Sequence, residues 1–132
     1  LGLTSNEGSD DFQMLKAGKS HVFEHVLRKA KSWGTADNMM FVVGATHPDM
    51  FANVRKILPN HFLLVPGVGA QGGELFRLTD QAVTKECGIL VNSARSIIYA
   101  GKNKDYKLKA MKSAYQFQRE MEMVLTEKGI VE

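Results

Sequence analysis

The chain is poor in several things at once: it has one cysteine, three prolines and one tryptophan in 132 residues. A lone Cys87 excludes an internal disulfide and fits a reducing compartment; its expected role is a buried small hydrophobe at a helix end rather than a nucleophile. No apolar run reaches transmembrane length and no signal-peptide pattern is visible, so the expectation is a cytoplasmic protein with no membrane partner. An excess of charge is also missing. The net charge is only +3, and the lysines alternate with acids along helical stretches, which reads as solvated faces and not as a nucleic-acid footprint. The four histidines, His21, His25, His47 and His61, do not converge at metal-ligand spacing. His21 and His25 are four residues apart, but on a polar helix face with no third ligand, so no metal is expected.

What remains is 44% hydrophobic and 23% charged, which suits one domain with a real core over residues 1–132 and is too little for two. The first residue is Leu1 and not Met, and Leu1 to Thr4 reads as the tail of a strand. The expectation is therefore a chain that begins in the middle of a larger protein.

Hydrophobic periodicity supplies the order of elements. A strand ending at Thr4 is followed by a polar loop from Ser5 to Asp11. A helix is expected from Ser20 to Trp33, with Val22, Val26, Leu27, Ala30 and Trp33 on one stripe and Gly34 closing it. Met39 to Ala45 is a continuous apolar run of the kind buried on both faces of a parallel sheet. Thr46 or His47 caps the next helix, with Pro48 in its first turn; Met50, Val54, Ile57 and Leu58 point inward, and it ends before Pro59. His61 to Val65 and Gly88 to Asn92 are strands, with a helix between them from Glu74 to Glu86. A helical turn from Arg95 to Ala100 precedes a last helix, Asp105 to Glu127, whose stripe is Ala110, Ala114, Phe117, Met121 and Val124. Four consecutive strand-helix units imply parallel strands and right-handed crossovers.

Two strand ends carry the chemistry. Leu64-Val-Pro-Gly-Val-Gly-Ala-Gln-Gly-Gly73 ends in glycine-freed backbone amides and Gln71, and Leu90-Val-Asn-Ser-Ala-Arg-Ser96 ends in a helix start and Arg95. Adjacent amides and a guanidinium form a receptor for a phosphate group. Four βα units occur in open doubly wound sheets and in halves of (β/α)8 barrels. A phosphate receptor after two consecutive strands, with a short extra helix after the second, matches the barrel site after strands 7 and 8. The expected fold class is thus α/β, with four parallel βα units forming the carboxy-terminal half, strands 5 to 8, of a TIM barrel.

Thr4-Ser-Asn6, Val43-Gly-Ala-Thr46, the Pro66-to-Gly73 glycine segment and Val91-Asn-Ser-Ala-Arg-Ser-Ile-Ile-Tyr-Ala100 together resemble the orotidine 5′-monophosphate decarboxylase family, most of all its bacterial branch with long helices. The resemblance covers essentially the whole chain. It implies a lyase of pyrimidine and UMP biosynthesis that converts orotidine 5′-monophosphate to UMP and CO2 without a cofactor, as a homodimer. It further implies that Ser5 hydrogen-bonds the pyrimidine edge, Pro66 walls the base pocket, and Gln71, beside Gly72, closes over the nucleotide and reaches its phosphate. Arg95 and the amides of Ala94 and Arg95 correspond to the phosphate donors. Alanine at position 94 keeps the amide but lacks the hydroxyl of family members with serine there. The family's catalytic lysine and aspartate array lies on the amino-terminal strands, and no stretch here matches it; Lys16, Asp10 and Asp11 are not assigned to it. This chain alone is expected to be inactive.

Other readings of the same residues stay open. The glycines at 67, 69, 72 and 73 also suit a tight strand-to-helix turn, Arg95 a surface cation, and Ser5 a turn or helix cap. Another phosphate-binding barrel, such as a sugar-phosphate epimerase or decarboxylase, shares the same receptor. A half-barrel that only associates, with another half or with itself, is the non-enzymatic alternative.

Overall fold

Leu3 lies in a short extended segment that bridges in parallel to Val43. The chain then turns through a polar stretch into α1 (Ser9–Phe12) and an antiparallel hairpin, β1 (Lys16–Ala17) with β2 (Ser20–His21). α2 (Val22–Lys31) leads to β3 (Phe41–Val42); a 3-10 turn (Pro48–Met50) and α3 (Phe51–Ile57) lead to β4 (Leu63–Pro66). α4 (Gly72–Ala82), β5 (Ile89–Asn92), α5 (Arg95–Ile98) and α6 (Tyr106–Glu127) complete the order. This computed structural model describes residues 1–69 and 72–132.

β3, β4 and β5 form one parallel sheet in chain order, with Phe41 opposite Leu63, Leu63 opposite Ile89, and Pro66 opposite Asn92. The Leu3 segment extends it past β3: Gly2 N–H donates to Val42 O at 2.9 Å and Gly44 N–H to Leu3 O at 2.7 Å. The fold is therefore α/β with a parallel sheet. The first strand is shorter than expected, reduced to the bridge at Leu3.

Side chains alternate across the sheet as strand geometry requires. Leu3, Phe41, Val43, Leu63, Val65 and Ile89 are buried on the face covered by Phe23 and Leu27 of α2, Phe51, Val54 and Ile57 of α3, and Leu75 and Leu78 of α4. The opposite face carries Val42, Leu64 and Leu90, and Leu90 is 51% exposed. The run from Met39 to Ala45 is thus covered on one face only.

Several expected boundaries shift for local reasons. α2 begins at Val22 because Ser20 and His21 belong to the hairpin, and the Glu24 carboxylate accepts the His21 N–H at 2.9 Å. That start turns Phe23 and Leu27 into the core and leaves Val26 and Trp33 exposed, correcting the expected stripe. The polar loop from Ser5 to Asp11 already contains the first residues of α1. α4 stops at Ala82, not Glu86, because the backbones of Thr84 and Cys87 bond each other at 2.9 and 3.0 Å in a tight turn. Cys87 sits in that turn at φ 67°, half-buried, and not at a helix end. On α6, Val124 is buried and Phe117 and Met121 pack on the core, while Ala114 faces out.

At the amino end of the strands one side chain gathers loose carbonyls. Arg55 donates Nε–H to Ala82 O at 2.6 Å, Nη1–H to Leu58 O at 3.1 Å and to His61 O at 2.7 Å, and Nη2–H to Gly88 O at 2.8 Å. The Leu58 and Ala82 carbonyls lie at the ends of α3 and α4, where helices leave acceptors without intrahelical partners, and those of His61 and Gly88 lie just ahead of β4 and β5; the Gly88 carbonyl also accepts the Leu63 N–H at 2.9 Å. Burial lowers the guanidinium to about 10, so it remains a cation at neutral pH.

Candidate ligand-binding site

The carboxyl ends of the strands converge on a cavity of about 320 Å³, within the range of small-molecule clefts. Its wall is drawn from three strand ends: Ser5 after the Leu3 segment, Pro66 to Gly69 after β4, and Asn92 to Ser96 after β5. This is the end of a parallel sheet where loops, freed from strand pairing, can present polar groups to a ligand.

Two close approaches shape that wall. A Cβ at Gly44 would stand 2.7 Å from both the Cβ and the N of Ser5, so only glycine lets the two strand ends lie side by side. Gly67 turns the chain away from β4 at φ 86°, a left-handed conformation natural to glycine, with Ser5 opposite. Across the cavity α5 begins directly after Ala94, and the leading amides of any helix lack intrahelical partners. The Ser93 and Ser96 hydroxyls bond each other, and Ser113 Oγ–H donates to Ser96 O at 3.1 Å, pinning α5 to α6.

Arg95 carries the only charge among the described lining residues. An electropositive group beside the leading amides of a helix favours an anion, and a planar guanidinium suits the bidentate geometry of phosphate or carboxylate.

Of the residues expected at a site, Ser5, Pro66, Ala94 and Arg95 line this one cavity. Gly72 is the first residue of α4, and Gln71 lies outside the described residues. Asn92, Ser93 and Ser96 line the cavity without having been singled out in the sequence. Their signal was membership of the Leu90-to-Ser96 segment at the carboxyl end of a parallel strand, where no individual role was assigned to them. Asp10, Asp11 and Lys16 are exposed, on α1 and β1, and do not line the cavity.

The histidines are dispersed. His25 Nε2 pairs with Ala17 O at 3.0 Å, His47 Nε2 with Ser9 Oγ at 3.1 Å, and the His21 ring stacks on Phe23. His61 is buried edge-on to Phe41 with neither ring nitrogen hydrogen-bonded. Among the described residues no three His, Cys, Asp or Glu side chains could hold a metal, and no helix is long and apolar enough to cross a membrane.

Comparison with known proteins bears out the resemblance read from the motifs. The chain is 50% identical over 132 residues to the orotidine 5′-phosphate decarboxylase of Parabacteroides distasonis, covering 99% of this chain and 47% of that protein. It is 47% identical to that of Porphyromonas gingivalis, covering 99% of this chain and 48% of the relative. Among solved structures, the OMP decarboxylase of Leishmania donovani superposes with a TM-score of 0.67 at 32% identity, over 84% of this chain and 42% of that one. The chain spans about half the length of the curated relatives it matches. No family model matches it.

Proposed function

We propose that the chain is the carboxy-terminal half of an orotidine 5′-monophosphate decarboxylase, strands 5 to 8 of a (β/α)8 barrel, and that residues 1–132 form one unit of it. The observation that carries this reading is that Ser5 and Arg95, from the first and last strand ends of the sheet, line the same cavity. The similarity along nearly the whole chain to proteins of that name supports it. So does the sheet: a bridge and three strands paired strictly in chain order, with helices on one face and an uncovered apolar face opposite, is what half of a closed barrel presents.

In this reading the phosphate of orotidine 5′-monophosphate or UMP lies against the Arg95 guanidinium and the amides of Ala94 and Arg95, with Gln71 and Gly72 beside it. Ser5 hydrogen-bonds the pyrimidine and Pro66 walls it. The carboxylate leaves as CO2, and a lysine outside this chain protonates C6. The phosphate is far from the reacting carbon, so its binding energy serves to hold the closed, competent state. The intact protein acts in the cytoplasm as a homodimer.

Arg95→Ala in the full-length protein tests this. The expected result is a severe loss of kcat/KM for orotidine 5′-monophosphate and almost none for a truncated substrate without the phosphate; equal losses for both overturn the assignment of Arg95. A phosphate-binding barrel for sugar phosphates is the competing reading, and it requires tighter binding of a pentose phosphate than of UMP.

A further inference from the structure

We infer that Gln13 is a positioning residue for Ser5, setting the part of the cavity farthest along the sheet from Arg95. The inference rests on the proposed reading of the cavity, in which Ser5 meets the base and Arg95 the phosphate.

Gln13 reaches back to the strand end with both atoms of its amide. Oε1 accepts the Thr4 backbone N–H at 2.8 Å, and Nε2 donates to Thr4 Oγ1 at 2.7 Å. A backbone N–H can only donate, so it fixes which end of the amide is oxygen; Nε2 must then be the donor to the hydroxyl. The Thr4 hydroxyl spends its own hydrogen on Asn6 Oδ1, at 2.6 Å. The residues on either side of Ser5 are thereby joined in one directional chain of hydrogen bonds that starts at Gln13.

Gln13 is itself anchored. Its N–H donates to Ser9 O at 2.8 Å, and its carbonyl accepts the N–H of Phe23 at 3.0 Å. Phe23 is a fully buried core residue of α2. Position is thus relayed from the core through Phe23, Gln13 and Thr4 to Ser5, while Gly44 closes the other side at a distance no side chain tolerates. A serine in a polar turn would otherwise sample several geometries. A side chain fixed by its neighbours' hydrogen bonds keeps its hydroxyl where a ligand atom arrives, and misplacement by an ångström is costly.

The test measures binding of UMP and of ribose 5-phosphate, which lacks the base, to the full-length protein and to its Gln13→Leu variant. Ribose 5-phosphate serves as the control for folding and for the phosphate end. Gln13→Leu is expected to weaken UMP about tenfold, the worth of one or two hydrogen bonds, and to leave ribose 5-phosphate unchanged. Thr4→Val, which keeps the shape and removes the hydroxyl, is expected to weaken UMP in the same sense and to add little in the double variant. If Gln13→Leu keeps the wild-type preference for UMP, or weakens both ligands alike, the positioning role is wrong. If the wild-type protein itself binds UMP no tighter than ribose 5-phosphate, the reading of the cavity fails before Gln13 is tested.

Discussion

The Arg55 guanidinium donates to the carbonyl of His61 at 2.7 Å, and so fastens α3 to the residue two places before β4. The same group holds carbonyls at Leu58, Ala82 and Gly88. Lysine has the charge but not the fork of donors, and cannot serve four acceptors in different directions. Arg55→Lys is expected to cost roughly 3 kcal/mol of stability, because buried carbonyls lose charge-assisted partners. Urea unfolding measures it as a lowered midpoint at unchanged slope. Ligand affinity at the opposite end of the strands should not move; a loss well under ~1 kcal/mol means that water replaces the guanidinium.

His61 gives the fold a dependence on acid. Burial, then the nearby cations Lys31 and Arg55, push its pKa below the usual 6.5. The folded protein therefore resists a proton that the unfolded chain accepts. The stability from the neutral ring is complete above the unfolded value and is lost as pH falls from about 6.5 toward the lower folded value. His61→Phe keeps a ring against Phe41 and removes the titration. Comparing unfolding midpoints near pH 7.5 and pH 5.5, the variant should lose less stability on acidification than the wild type. An identical loss in both assigns the acid sensitivity to other groups.

Leu90 lies within β5, 51% exposed on the face opposite the buried core side chains, in register with Leu64. In the proposed half-barrel this row stays open, and exposed apolar sheet faces with free edges associate. The 132-residue chain alone is expected to sediment as dimers or larger species, and Leu90→Ser to shift it toward monomer. A compact wild-type monomer at high concentration argues against an open half-barrel.

The strand order was readable because each apolar run is short, is bounded by turn residues and alternates with a helical stripe. β4 and β5 begin within two residues of their expected starts for that reason. Arg95 was readable as a candidate because a guanidinium at a helix start follows a glycine-rich strand end one unit earlier, whereas Ser5 was readable only through the family resemblance, its spacing suiting a turn cap equally well. The phase of α2 was not, because Val22, Val26 and Trp33 make as good an apolar stripe as Phe23 and Leu27. Only the hairpin of Ser20 and His21, a tertiary choice, selects between them. Arg55 was invisible for a related reason: beside Lys56 it looks like any solvated cation, and its four carbonyls come from positions that only the fold brings together. Gln13 shares that character, since its partner is set by where the chain turns after Thr4.

The parallel pairing also fixes an order in time. Leu3 is bridged by the segment that follows it, β4 pairs with β3, and β5 pairs with β4. As the polypeptide leaves the ribosome, amino end first, each new strand meets a neighbour that has already been made. The parallel sheet can thus widen one unit at a time at a single advancing rim, each of β3, β4 and β5 adding to a segment that precedes it in the chain.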